Sequence, residues 1–245
     1  MHYLLTLLTS MLFDIYCFFV EIATEGIKMG LLFPEMGKRS IVYISRFKKM
    51  MVHTSTIPLA ILRDNLPRIL QRKRVVLHSQ ELTPASVLVP LFEKEGNTHL
   101  LLIKRSRYMQ YHQYQISFPG GGLEDTDGDV MGTALREAFE EIGVAQGSVE
   151  VVGLLDDYAS ISDFRITPVV GIIPYPYPFT INPREVEMLV EVPLSTLLPQ
   201  RKEKVLTLQG KKRHTYIFIS GPFTIWGVTA RMIKDFLDML RKDLL

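Results

Sequence analysis

One cysteine, Cys17, is all that a chain of 245 residues carries, so no internal disulfide can form. That scarcity excludes the bridged frameworks of small secreted domains and fits a reducing, cytoplasmic compartment. Charge of one sign is not in excess either. The net charge is +2, a balance that argues against a nucleic-acid partner and leaves the scattered bases as solvated surface. Internal repeats and low-complexity tracts are missing. What is present is an ordinary globular composition, 47% hydrophobic and 22% charged. The length suits one large domain, with or without an appended segment.

The N-terminal stretch lacks two things that a targeting segment needs. No Lys or Arg precedes Lys28, whereas a secretory signal begins with positive charge, and the run Cys17-Phe18-Phe19-Val20 is a poor cleavage site. A spanning helix needs roughly 20 apolar residues. Asp14 interrupts the uncharged run that begins at Met1, where a charge is costly. Three readings follow: a weak membrane anchor over residues 1–20, an apolar helix packed on the body, or a start assigned too early, with Met29, Met36, Met50 and Met51 as later starts. In the first reading Lys38, Arg39, Arg46, Lys48 and Lys49 hold the body on the cytoplasmic side. The chain therefore divides into an apolar extension over 1–35, a basic helical and linker segment over 36–80, and a main domain over 81–245.

Ile57 to Leu70 has the pattern of a short amphipathic helix broken at Pro67. From Thr83 the pattern changes to strands. Ser86–Phe92 and His99–Lys104 read as a hairpin around Glu95-Gly96-Asn97. Three consecutive glycines, Gly120 to Gly122, predict a loop. Asp129 to Ile142 predicts a helix with Asp129 as its N-cap, an apolar stripe at Ala134, Leu135, Ala138 and Ile142, and a stop at Gly143. Further strands are expected at Val149–Leu155, Arg165–Ile173 and Glu187–Val192. A second hairpin is expected over Lys204–Leu208 and Thr215–Ile219, and a closing helix over Trp226–Leu240. The four prolines between Pro174 and Pro183, among Tyr175, Tyr177 and Phe179, predict a rigid loop with aromatic packing. The fold class is α+β, a mixed sheet sandwiched between helices.

The predicted helix at 129–142 carries the chemistry. Glu137, Glu140 and Glu141 are spaced i, i+3, i+4, which puts three carboxylates on one helical face. Alone they repel one another, and a bound divalent cation reverses that sign. An all-oxygen site of this kind suits Mg²⁺ or Mn²⁺, which also bind substrate phosphates. A solvated acidic face has the same spacing. The glycine run before the helix favours the metal reading, because Gly120 and Gly121 let backbone approach a phosphate closely.

The stretch from Arg136 to Val144 resembles the second half of the Nudix box, R-E-U-x-E-E-x-G-U, where U is a bulky apolar residue. The first half departs: the sixth residue after Gly121 is Asp127 rather than Glu, and eight residues rather than seven separate it from Arg136. The resemblance implies a Nudix-type α/β/α fold and a metal-dependent pyrophosphohydrolase. It makes Glu140 and Glu141 the main metal ligands and Glu137 a third. Arg136 becomes a structural residue paired with a loop acid such as Asp127, and Gly143 the stop of the box helix. The general base is Glu140 or a Glu outside the box such as Glu185.

The segment Leu101-Leu102-Ile103-Lys104-Arg105-Ser106, through His112 and Gln115, to Phe118-Pro119-Gly120-Gly121 is similar to the signature of the coenzyme A diphosphatase subgroup. The subgroup shares Asp125-Thr126-Asp127 and the longer spacing to Arg136. Thr167 to Gly171, Asn182-Pro183-x-Glu185-Val186 and Ile225 to Arg231 also resemble it, so that the likeness covers about residues 80 to 240. The resemblance implies a small-molecule diphosphate substrate, coenzyme A or a derivative, held by Arg105, Arg107 and His112 with Gly120 and Gly121. Two positions differ: Gln110 stands where the subgroup has Arg, and Tyr114 where it has Gly. Gln cannot replace the bidentate charge of Arg, so a nucleotide sugar or dinucleotide remains the alternative substrate. A non-catalytic binding module of the same fold would be expected to have lost Glu137, Glu140 and Glu141, and all three are present. A homodimer is compatible with this reading.

Overall fold

In a computed structural model the described residues are 56–200, 202–208 and 211–244. The expectations for residues 1–55, including the apolar extension, lie outside them. Among the described residues no helix is long and apolar enough to cross a membrane.

Helix α1 (Leu59–Leu70) opens the described chain. It buries Leu59, Leu62, Leu66, Ile69 and Leu70, a 3.6-residue stripe. The break expected at Pro67 does not occur: the helix runs through it to Leu70. A proline only three residues from the end disturbs one turn, and the buried stripe holds that turn in place.

The strands β1 (Thr83–Lys94) and β2 (Asn97–Arg105) form the expected hairpin. They pair antiparallel only from Leu91↔Leu100 to Lys94↔Asn97 and then part. The chain at β3 (Ile116–Ser117) and β4 (Gly120–Gly122) fills the fork: β3 pairs with the far half of β2, and β4 with the far half of β1. The glycine run expected to be a loop is therefore a strand. Its register, Ala85↔Gly122 to Val87↔Gly120, needs glycine because a Cβ on Gly120 would lie 2.4 Å from Ser86 O.

Helix α2 (Val130–Ile142) follows. β5 (Glu150–Leu154), β6 (Tyr158–Ala159) and β7 (Phe164–Ile172) come next, with β7 parallel to β1. β8 (Val186–Pro193) pairs with the outer side of β2 and leads into the short α3 (Leu194–Leu197). The predicted second hairpin is β9 (Lys202–Leu208) with β10 (Lys211–Ser220), extended by β11 (Phe223–Trp226) to a three-stranded sheet. Helix α4 (Gly227–Asp243) ends it.

The mixed eight-stranded sheet has two covered faces, so its central strands are buried almost continuously. Val89 and Leu91 of β1, with Leu100 and Leu102 of β2, face α1 and α4. The alternate residues Leu88, Phe92, Leu101 and Ile103 face the side of α2, where Ala134, Ala138 and Ile142 are buried. This is the α+β sandwich expected from the sequence. Tyr175, Tyr177 and Phe179 pack beside Phe92 on that second face, with Tyr175 stacked on Phe92 at 4.5 Å.

Candidate active site

Helix α2 is set over the fork by both its ends. The Asp129 side chain accepts from Met131 N (2.8 Å) and Gly132 N (2.9 Å). Gly143 closes the helix in the left-handed region, φ 74°, with its N–H bonded to Phe139 O. Arg136 then ties the helix to the preceding loop. Its Nε and Nη2 reach Asp127 at 2.6 and 3.0 Å, Nη2 also reaches Gly122 O at 2.9 Å, and Nη1 reaches Glu137 and Glu140 at 2.9 and 3.0 Å. Asp127 accepts further bonds from Thr133 Oγ1 and Glu124 N. This placement puts the inner face of α2 directly over β4. Gly120 N–H donates to Glu141 Oε2 at 2.9 Å, and a Cβ on Gly121 would fall 2.3 Å from Glu137 Oε1.

A third carboxylate arrives from the turn before β8, which is bonded to the end of α2 through Thr180 N to Ile142 O at 3.1 Å and Asn182 N to Glu141 O at 2.9 Å. Asn182 organises the turn before β8: its Oδ1 accepts from Arg184 N, and its Nδ2 donates to Glu185 Oε1 at 3.0 Å. Glu137, Glu141 and Glu185 each bring an oxygen to within 4.8 Å of the others. Glu140 stands outside this group, its side chain 49% exposed and paired with Arg136. Three convergent carboxylates with no nitrogen or sulfur donor suit a hard divalent cation.

The electrostatics agree with a cation-seeking site. Burial pushes the Glu141 carboxyl up to about 8, with Glu137 and Glu185 adding to the rise; Arg105 and the Gly120 N–H pull it down. Burial also raises Glu137, against the pull of Arg136. The Arg136 guanidinium acts the other way on Asp127 and holds it far below the usual carboxylate range. Arg105, at the end of β2, places Nη1 3.9 Å from Glu141 Oε1, and its buried Nε has no partner among the described residues.

Beside this cluster opens a cavity of about 950 Å³ whose walls include Arg105, His112 and Gly120 to Gly122. His112, φ 60°, bridges Gln115 (3.2 Å) and Ser162 (2.8 Å). Arg107 lies off the cavity wall and donates to the Tyr108 hydroxyl at 2.6 Å. Gln110 and Tyr114 are exposed in the same loop. Sequence reasoning passed over Asn182 as a positioning residue, although the Asn182-Pro183-x-Glu185 pattern had drawn attention to the turn. It also missed Asp157, whose partner Arg74 lies 83 residues away and leaves no spacing signal.

Comparison with known proteins places these features in a family. The profile of the NUDIX domain matches residues 82–209. An uncharacterized Nudix hydrolase, NudL, of Enterobacter sp. (strain 638) is 37% identical over 153 residues, 62% of this chain and 79% of that protein. The NudL of Cronobacter sakazakii (strain ATCC BAA-894) is 36% identical over the same shares. Among solved structures, a MutT/nudix family protein from Enterococcus faecalis aligns with a TM-score of 0.44 at 16% identity, covering 79% of this chain and 74% of that one.

Proposed function

The chain belongs to the Nudix hydrolase family, and from that premise we propose that it is a metal-dependent diphosphatase of coenzyme A or a derivative, releasing 4′-phosphopantetheine and adenosine 3′,5′-bisphosphate. The observation that carries the metal-dependent reading is the convergence of Glu137, Glu141 and Glu185 beside the Gly120–Gly121 backbone. In this reading Glu137 and Glu141 hold Mg²⁺ or Mn²⁺ together with Glu140, one turn along the same helical face, and Glu185 stands beside them as the base. When bound, the cation supplies positive charge against the diphosphate oxygens and acidifies water.

The remaining work falls to the chain's own groups. Gly120 N–H fixes Glu141, and the Arg105 Nε–H, without a partner among the described residues, is a donor for a diphosphate oxygen. Glu185 has Oε1 engaged by Asn182 and offers Oε2 to take the proton of the attacking water, as the oxygen–phosphorus bond to the leaving phosphate breaks. The choice of coenzyme A rests on the run from Leu101 to Gly121, which spans β2, the His112 loop, β3 and β4 and so borders the carboxylate cluster. Gln110 and Tyr114 favour a second reading in which another nucleoside diphosphate derivative, a nucleotide sugar or dinucleotide, is the substrate.

The test is turnover of coenzyme A, an acyl-coenzyme A, ADP-ribose, NADH and a nucleotide sugar with Mg²⁺ or Mn²⁺. Glu140→Gln and Glu185→Gln serve as controls. We expect adenosine 3′,5′-bisphosphate from coenzyme A, lowered at least about a hundredfold in either variant. Turnover of another diphosphate alone would move the assignment to the second reading. Full activity in Glu185→Gln would remove Glu185 from the chemistry.

A further inference from the structure

Between α1 and β1, residues 72–79 have neither helix nor strand, yet the segment is tied down along its length. Asp156 Oδ1 accepts from Val75 N at 2.8 Å, and Asp156 Oδ2 accepts from Arg72 Nη2 at 3.2 Å. Asp157 N donates to Val75 O at 2.9 Å. The Asp157 carboxylate, 1% exposed, accepts from Arg74 Nη2 (3.0 Å), Leu77 N (3.0 Å) and Thr167 Oγ1 (2.8 Å). Arg165 Nη1 closes the set on Leu77 O at 3.0 Å.

Core formation does not account for this anchoring, since Val75 and Val76 are 57% and 38% exposed. Ordering an extended segment costs backbone entropy, and burying a carboxylate adds to that. What the strap does is build a wall. Val75 and Leu77 line the cavity beside the carboxylate cluster, together with Tyr216, Trp226 and Met232. The strap also lies upstream of the matched domain, which begins at residue 82.

The lining indicates what the cavity takes. Its volume, about 950 Å³, is that of a small-molecule site. Among the described residues its two arginines both sit beside carboxylates: Arg105 beside Glu141 at 3.9 Å and Arg231 beside Asp235 at 3.7 Å. A further phosphate would find no arginine there without a carboxylate beside it. An uncharged organic group suits the valine, leucine and aromatic lining. We propose that this cavity is the subsite for the uncharged arm of the diphosphate substrate, and that Asp157 is a positioning residue that fixes its wall through the strap. The proposal rests on the diphosphatase reading above and names the part of the substrate that the cavity selects.

Trp226, the single tryptophan of the chain, lines the cavity and reports on its occupancy. The full-length protein is titrated with pantetheine, an uncharged arm, and separately with adenosine 3′,5′-bisphosphate, the charged remainder. Pantetheine is expected to change the Trp226 emission, and the bisphosphate to leave it unchanged. Asp157→Asn, which loosens the strap, and Val75→Asp, a change at an exposed position, should each weaken pantetheine binding and raise the KM for coenzyme A about fivefold. Neither should alter kcat, nor the turnover of adenosine 5′-diphosphate methyl ester, which has no arm. Should Asp157→Asn fail to fold, Val75→Asp decides. Silence from pantetheine, a response to the bisphosphate instead, or an unchanged KM in the folded variants overturns the subsite and leaves the diphosphatase reading standing. Pantetheine binding weakened by the variants, in a protein that hydrolyses no diphosphate, would sustain the subsite and defeat the diphosphatase reading.

Discussion

Tyr114 lies in the left-handed region at φ 60°, on a backbone where the coenzyme A subgroup keeps glycine. An L-residue there costs about 1–2 kcal/mol. Glycine would lose roughly 0.5–1 kcal/mol more backbone entropy on folding. The ring is 53% exposed, with Lys104 Nζ over it at 5.5 Å, so little packing offsets the strain. Tyr114→Gly should therefore raise stability by about 0.5–1 kcal/mol in a denaturant titration. A lower midpoint would mean that the ring's contacts outweigh the strain. From the sequence alone Tyr114 is simply added bulk; the backbone conformation that makes the subgroup's glycine intelligible is visible only in three dimensions.

At the level of elements, helix α2 shows how much of the site could be read in advance. Its cap at Asp129 and its stop at Gly143 are local chemistry that the structure repeats, and of the expected stripe Ala134, Ala138 and Ile142 are buried while Leu135 is only half-buried. The tie from Arg136 to Asp127 gives this unit its own pH dependence. Asp127 has a lower pKa folded than unfolded, so its stabilisation is complete above about pH 4 and is lost as pH falls below that value. Asp127→Asn should cost about 2 kcal/mol at neutral pH, and the cost should shrink in acid. A penalty equal at pH 7 and at the acid limit would contradict this assignment. What the sequence hid was pairing between distant strands. The glycine run is a strand because Ala85 to Val87 lies alongside to receive it, and β11 is only four residues long. Neither leaves a periodic signal. Glu185 was legible as an acid, but its approach to Glu137 depends on β8 lying against β2.

For the molecule as a whole, the buried acids should make stability, pH and divalent metal interdependent. With Glu141 raised to about 8, the metal-free folded state keeps a proton that the unfolded chain releases, and stability from this group falls as pH rises toward that value. A divalent cation takes the place of that proton. The gain in Tm on adding Mg²⁺ to chelator-treated protein should accordingly be larger at pH 8 than at pH 5.5, and equal gains would exclude Glu141 from the metal site. The forked sheet has a different kind of consequence. The chain leaves β2 at Arg105 and returns at Gln115 through a closed stem, Arg105 N to Gln115 O at 2.9 Å and Tyr114 N to Arg105 O at 3.0 Å. What lies inside that stem is a cassette. Doubling such a loop costs only about 0.6 kcal/mol of closure entropy, so a graft between Ser106 and Gln113 could change what the rim of this enzyme greets while the carboxylates beneath keep their places.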